Sequence, residues 1–264
     1  MAQSHRTATS IASELREASL EALPRLVRMW KDDERKAVQD AVERSRRRVA
    51  AHRALVKHAE SLYAEQRAVA SGGGFVVGLD EVGRGPLAGP LTVGAVVLPH
   101  DPLVLGLDDS KKLTARRRAE LTEEIRAVAL AVVTVDIPAD QIDSMGMALC
   151  LRAAFSRAIT QVETMLGGPA AAVFLDGHPL RLHPAEHAFV KGDGRHACIA
   201  AASIVAKHTR DQLMISLDAE YPGYGFADSK GYACAEHIAA IKANGLTPLH
   251  RVSFCESITA ESLF

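Results

Sequence analysis

The feature that most constrains this chain is a short apolar run ending in two adjacent acids. Phe75-Val76-Val77-Gly78-Leu79 leads into Asp80 and Glu81, and the chain continues Val82-Gly83-Arg84-Gly85-Pro86-Leu87-Ala88-Gly89. A run of this length and composition reads as a strand buried on both faces. Acids at its carboxyl end then lie where open α/β sheets place their ligands. A polar strand end before a turn would carry the same residues, so the rest of the chain has to decide.

The pattern recurs. Leu91 to Leu98 and Ala131 to Ile137 read as strands, Ala171 to Leu175 as a buried strand ending at Asp176-Gly177, and Ala188-Phe189-Val190 as another running into Lys191-Gly192-Asp193-Gly194. Helices are predicted over Thr114 to Ala127, Asp140 to Leu166, Cys198 to Ala219 and Ala233 to Asn244. No helix of crossover length separates the first two strands, which predicts an antiparallel start. The later strands alternate with helices and should be parallel. The expected core is α/β, with a mixed sheet of five strands flanked by helices.

Asp80, Glu81, Asp176 and Asp193 thus all fall at strand ends, each with a glycine close behind. Carboxylates gathered at one sheet edge repel, and without compensation one would hold a proton. Divalent cations compensate, and hard oxygen ligands suit Mg²⁺ or Mn²⁺. Pairs of such ions about 4 Å apart clamp the attacking and leaving oxygens in phosphodiester cleavage. Neighbouring strand residues point to opposite faces. Asp80 and Glu81 are therefore expected to share one centre only if the strand ends or kinks between them.

Other chemistries fit poorly. The third glycine after Gly83-Arg84-Gly85 misses the dinucleotide-binding register by one, and no P-loop, H-E-x-x-H or G-x-S-x-G occurs. One tryptophan and 5% aromatics argue against a sugar-stacking glycosidase cleft. His178, His183 and His187 lack a third partner type for zinc and read as surface histidines. Cys150, Cys198, Cys234 and Cys255 are widely spaced, so buried reduced thiols are expected. No apolar run approaches the ~18 residues of a membrane span. Arg6, Glu14, Arg16 and Glu17 interrupt any signal peptide, so a cytoplasmic protein is expected.

The net charge is only −1, but it is unevenly placed. Residues 1–70 carry fourteen Lys/Arg against ten Asp/Glu, and the remainder seventeen against twenty-two. The first 70 residues hold one proline, Pro24, and no glycine, and read as helical throughout. Leu15, Leu20, Leu23, Leu26, Val27 and Trp30 would form one stripe, with a fresh helix start at Asp32-Asp33. Arg44, Arg46, Arg47, Arg48, Arg53 and Lys57 cover much of the second helix, as a solvated face or as a phosphate-contacting arm. Ser71-Gly72-Gly73-Gly74 is the expected joint, dividing a helical extension (1–72) from a catalytic domain (73–264) with a C-terminal helical region. Leu263-Phe264 is too short a tail to read as a partner motif.

The stretch G-L-D-E-V-G-R-G-P-L-A-G-P closely resembles the signature of the bacterial ribonuclease HII family, the type 2 ribonucleases H. The resemblance continues through Asp109-Ser110-Lys111-Lys112-Leu113, Leu175-Asp176-Gly177 and Val190-Lys191-Gly192-Asp193. It takes in Ala201 to Lys207, Thr209-Arg210-Asp211, Tyr224-Gly225-Phe226 and Lys230-Gly231-Tyr232, and ends at His250-Arg251-Val252-Ser253-Phe254. Val82 and Arg84 distinguish it from the related ribonuclease HIII pattern, D-E-S-G-x-G.

The resemblance implies a ribonuclease H-like fold and a metal-dependent endoribonuclease acting on RNA–DNA hybrids and on single ribonucleotides in duplex DNA. Hydrolysis would fall on the 5′ side of the ribonucleotide by two-metal-ion catalysis with Mg²⁺ or Mn²⁺. It implies Asp80, Glu81, Asp176 and Asp193 as catalytic metal ligands, and backbone around Gly83, Arg84 and Gly85 as the reader of the 2′-hydroxyl. It places Tyr232 on the adjoining sugar and Lys111, Ser203 and Lys207 on flanking phosphates, although a solvated turn suits Lys111 and Lys112 nearly as well. Asp211 reads as a structural acid within a helix, and Ser229 stands where family members often have His. A monomer is expected. The competing readings are a non-catalytic hybrid-binding protein on the same fold, disfavoured by the four acids, and a DNA-directed nuclease, disfavoured by Gly83-Arg84-Gly85 with Tyr232.

Overall fold

The computed structural model describes residues 6–260, so Leu263-Phe264 lie outside the described residues. The chain divides into two compact units, residues 1–60 and 61–264. In the first, α1 (Ala8–Glu17), α2 (Leu23–Trp30) and the opening of α3 (Lys36–Ala70) bury Ile11, Leu15, Leu23, Trp30, Val38 and Val42 against one another. The single stripe expected from Leu15 to Trp30 is broken. Ala18 ends α1 in an extended conformation, and Leu20 falls in the exposed link. Arg48 donates to the carbonyls of Leu15, Arg16 and Ala18, so it satisfies the end of α1.

Helix α3 is continuous from Lys36 to Ala70 and crosses the division between the units. Its last turns belong to the second unit. Leu62 and Tyr63 are buried in that core, the Tyr63 hydroxyl accepts from the Val104 amide at 3.1 Å, and Gln66 Oε1 accepts from the Cys198 amide at 3.0 Å.

The second unit is built on β1 (Val76–Val82), β2 (Leu91–Val97), α4 (Ala115–Val128), β3 (Ala131–Ile137), α5 (Ala139–Met145), α6 (Met147–Leu166), β4 (Ala172–Asp176), β5 (Glu186–Phe189), α7 (Ala197–Glu220), α8 (Phe226–Ser229), α9 (Ala235–Asn244) and α10 (Val252–Ala260). The five strands lie in the order β3-β2-β1-β4-β5. β1 pairs antiparallel with β2, as β2 does with β3, while β1–β4 and β4–β5 are parallel. The mixed α/β sheet is therefore the one expected. The stretch Asp140 to Leu166 is mainly helical as expected, and is split in two where Gly146 at φ +80° terminates α5 and starts α6.

Alternation along the strands sorts their side chains. Val77 and Leu79 of β1, with Val173 and Leu175 of β4, pack with Phe155, Ala158 and Val162 of α6. Gly78 and Phe174 lie on the other face, toward α7. There α7 contributes Cys198, Ala200, Ala201 and Ala202, all fully buried. These small residues let the helix lie almost on the sheet backbone. A Cβ at Gly78 would sit 2.1 Å from the Cys198 carbonyl carbon, and one at Gly94 would sit 2.4 Å from the Ala202 oxygen. Close packing of this kind fixes the height of α7 over the strand that carries Asp80.

Candidate active site

Asp80 comes two residues after Gly78 on the α7 face of β1, and Asp176 two after Phe174 on the same face of β4. The parallel register pairs Leu79 with Leu175, so the two acids are the next residues on adjacent strands. Asp193 arrives from a 3₁₀ turn, Gly192–Gly194, that joins β5 to α7. The Gly192 amide donates to Asp176 Oδ1 at 2.6 Å, which ties that turn to β4. One carboxylate oxygen from each of Asp80, Asp176 and Asp193 lies within 4.8 Å of the others. Chain separation is no obstacle, because the sheet carries all three to one place.

Glu81 is placed differently. The strand neither ends nor kinks after Asp80, since β1 runs on to Val82 and pairs Asp80 with Gly94 and Glu81 with Val93. Glu81 is not among the three acids whose oxygens gather within 4.8 Å, although its charge acts on Asp80 and that of Asp176 acts on it. Its Oε1 accepts from Arg84 Nη1 at 3.3 Å. Burial holds its carboxyl above the ordinary range, with Arg84 opposing and the charge of Asp176 adding.

The electrostatics describe a site short of positive charge. Burial pushes Asp80 well above the usual carboxylate range, the Ser203 hydroxyl opposes this, and the charges of Glu81 and Asp176 reinforce it. Burial also raises Asp193, followed by the charges of Asp109 and Asp176, while Lys111 counters them. Raised carboxyls at Asp80 and Asp193, gathered with Asp176, suit a cation with a hard oxygen preference. On donor chemistry and spacing, Asp80, Asp176 and Asp193 fit a divalent ion.

The remaining expected contacts surround this group. Ser203 of α7 is buried, 2.9 Å from the Ser110 hydroxyl. Lys111 is exposed in the turn at 109–113, which Arg118 of α4 holds through the carbonyls of Ser110 and Leu113. Lys207 Nζ lies 2.6 Å from Asp211 Oδ1, and Arg118 reaches the other oxygen of Asp211 at 3.4 Å. Arg84 and Gly85 are exposed. Gly83 is buried at φ +89°, and a Cβ there would meet Arg210 Nε at 2.4 Å, whereas Gly85 faces open space. Tyr232 is 43% exposed. The three histidines do not gather: His183 Nε2 lies 3.2 Å from Glu163, and His187 stacks on Phe189.

Two arginines hold the site from behind. Arg210 and Arg251 are fully buried. Arg210 donates to the carbonyls of Pro90, Lys230 and Ala88. Arg251 donates to those of Gly83, Arg84 and Gly89. Their charges are met by backbone carbonyls; burial lowers both guanidinium pKa values, that of Arg251 to about 10 with the nearby Arg210 contributing. Nothing local in the sequence marks them, because an arginine beside Lys207 and His208 on a helix reads as solvated.

Comparison with known proteins settles the family. The family model for Ribonuclease HII matches residues 77–257, and that for the Ribonuclease HII N-terminal domain matches residues 7–69. The chain belongs to the ribonuclease HII family. A relative named Ribonuclease HII from Halalkalibacterium halodurans is 42% identical over 227 residues, covering 86% of this chain and 85% of its own. One from Geobacillus kaustophilus is 40% identical over 227 residues, covering 86% of this chain and 86% of its own. Among solved structures, ribonuclease H2 from Pyrococcus horikoshii superposes with a TM-score of 0.61 at 24% identity, over 72% of this chain and 99% of that one. Bst-RNase HIII in complex with Mn²⁺ gives a TM-score of 0.59 at 18% identity, over 78% and 72%. These last two establish the shared fold. As a member of the ribonuclease HII family the chain is a metal-dependent endoribonuclease, and the three-acid cluster is consistent with that chemistry. Among the described residues no helix is long and apolar enough to cross a membrane.

Proposed function

We propose that this ribonuclease hydrolyses the RNA strand of RNA–DNA hybrids and cuts on the 5′ side of single ribonucleotides embedded in duplex DNA, leaving 3′-hydroxyl and 5′-phosphate ends. The observation that carries the reading is the convergence of Asp80, Asp176 and Asp193 within 4.8 Å beside the Gly83-Arg84-Gly85 loop that comes after β1. Asp80, Glu81, Asp176 and Asp193 would hold Mg²⁺ or Mn²⁺, two ions per site, Glu81 once Arg84 has turned from it to the substrate. When bound, such ions neutralise the clustered charge and polarise the scissile phosphate.

The chain's own groups set the selectivity. Only the 2′-hydroxyl tells RNA from DNA at a given nucleotide. Backbone groups of Gly83, Arg84 and Gly85 recognise that hydroxyl and are left unpaired when it is missing, a penalty that supports selectivity of about 10⁴. Tyr232 packs on the adjoining sugar, and Arg84 and Lys111 meet flanking phosphates. Ser203 beside Asp80 favours the charged carboxylate, so its contribution is to the acid cluster as much as to phosphate. Lys207 reaches phosphate only by loosening its pair with Asp211. The basic face at Arg44, Arg46, Arg53 and Lys57 adds sequence-independent hold on the polyanion.

The test is cleavage of a duplex carrying one ribonucleotide, beside an all-DNA duplex, with and without Mg²⁺. Cutting only of the first, only with Mg²⁺ and on the 5′ side is expected. Cutting of the all-DNA duplex, or no cutting of either, overturns the reading.

A further inference from the structure

The turn that carries Tyr232 is held by three consecutive carbonyls, each gripped from a different element. The Lys230 carbonyl accepts from Arg210 Nη1 of α7 at 3.0 Å. The Gly231 carbonyl accepts from the Leu87 amide at 2.8 Å. The Tyr232 carbonyl lies 2.9 Å from His237 Nδ1 of α9. His237 Nε2 in turn lies 3.1 Å from His250 Nε2, and His250 Nδ1 lies 2.9 Å from the Thr247 amide nitrogen. Both histidines are buried, at 0% and 3% exposure.

The order of donors along this chain is dictated at one end. A backbone amide can only donate, so His250 Nδ1 must be unprotonated and its proton must sit on Nε2. His237 Nε2 then has to accept, which leaves the His237 proton on Nδ1, aimed at the Tyr232 carbonyl. Only two neutral imidazoles of opposite tautomer complete the run. Burial keeps both below the ordinary histidine pKa, and His237 helps push His250 down to about 4. His250 is also stitched to the other half of the substrate-reading surface. It bridges to Ala88, its neighbour Leu249 accepts from the Gly89 amide, and Arg251 donates its amide to the Leu87 carbonyl.

We propose that His250 and His237 form a neutral relay that registers Tyr232 against the Gly83–Gly89 loop, making both positioning residues for recognition of the ribonucleotide. The inference rests on the reading of Tyr232 as a sugar-packing residue. Neither imidazole touches substrate. Their role is to fix the distance between the two surfaces that do.

Single-turnover cleavage of a duplex with one ribonucleotide tests this in a double-mutant cycle. His237→Phe fills the same space but leaves the buried His250 Nε2–H without an acceptor and the Tyr232 carbonyl with the Cys234 amide alone, and should slow cleavage by roughly tenfold. His237→Asn retains a donor near the Nδ1 position and should recover most of that loss. In a Tyr232→Ala background His237→Phe should change nothing further. Equal loss in both backgrounds, or no loss from His237→Phe alone, overturns the relay. No loss from Tyr232→Ala itself overturns the reading of Tyr232, and the relay with it. Should His237→Phe fail to fold, ¹⁵N-histidine NMR of the unaltered protein at neutral pH decides. An Nδ1–H tautomer for His237 with an Nε2–H tautomer for His250 supports the relay, and like tautomers or a charged ring refute it.

Discussion

Arg251 Nη2 lies 2.6 Å from the carbonyl oxygen of Gly83, a residue 168 positions earlier in the chain. The same guanidinium holds Arg84 and Gly89, so one buried side chain shapes the loop after the first acidic strand. A delocalised fork can serve several carbonyls at once, and a single ammonium cannot reproduce that geometry.

Arg251→Leu should therefore remove the donor to three carbonyls, those of Gly83 and Gly89 buried, and cost on the order of 3 kcal/mol. Arg251→Lys should recover little of it. Urea unfolding of the three proteins measures the difference, and a lysine variant as stable as the parent would contradict the clamp.

The acid cluster predicts an unusual pH dependence for the metal-free protein. Because folding raises the Asp80 pKa, its favourable contribution is present at acid pH and is lost as pH climbs from the ordinary carboxylate value through the raised one. Asp80→Asn should accordingly melt higher than the parent at pH 7 without metal, by roughly 2–4 °C for each kcal/mol of strain removed. The difference should shrink toward pH 4. Added Mg²⁺ should stabilise the parent more than the variant. A variant melting lower than the metal-free parent at pH 7 would argue that the acids do not repel.

Truncation separates the roles of the first helices. Removing residues 1–60 should weaken hybrid binding and flatten its dependence on salt, while metal-dependent cleavage persists at saturating substrate. Removing residues 1–70 also deletes the buried Leu62 and Tyr63 and the Gln66 contact to Cys198, and should cost several kcal/mol of stability beyond the shorter cut. Thermal unfolding of the two truncations and salt titrations of binding provide the readings. Equal melting points would contradict the placement of those turns in the second unit.

Much of this site is legible without the fold, and the reasons are local. Asp80 and Asp176 each follow apolar strand residues, and strand alternation places them on one face beside each other. Glu81 is the next residue along β1, which continues through Val82, and it stands apart from the three gathered carboxylate oxygens while its charge still reaches Asp80. The break at Gly146 is hidden by apolar residues on both sides, where only a positive φ reveals the helix end. Arg210, His250 and Arg251 fall inside the segments that resemble the family, but nothing local to them or to His237 gives their roles. Arg210 grips Pro90 across 120 residues, and the two histidines acquire a purpose only when α9 meets the segment at 247–250.

Asp176→Asn puts the three-acid metal centre to its sharpest trial, because it keeps the shape of the site and removes one negative charge. Cleavage at a single embedded ribonucleotide in Mg²⁺ and binding to an RNA–DNA hybrid would be measured on the same preparation. Cleavage should fall at least ~100-fold with binding within about threefold of the parent, since a carboxylate ligand is lost and the recognition surface is not. Cleavage above a hundredth of the parent rate would contradict the assignment.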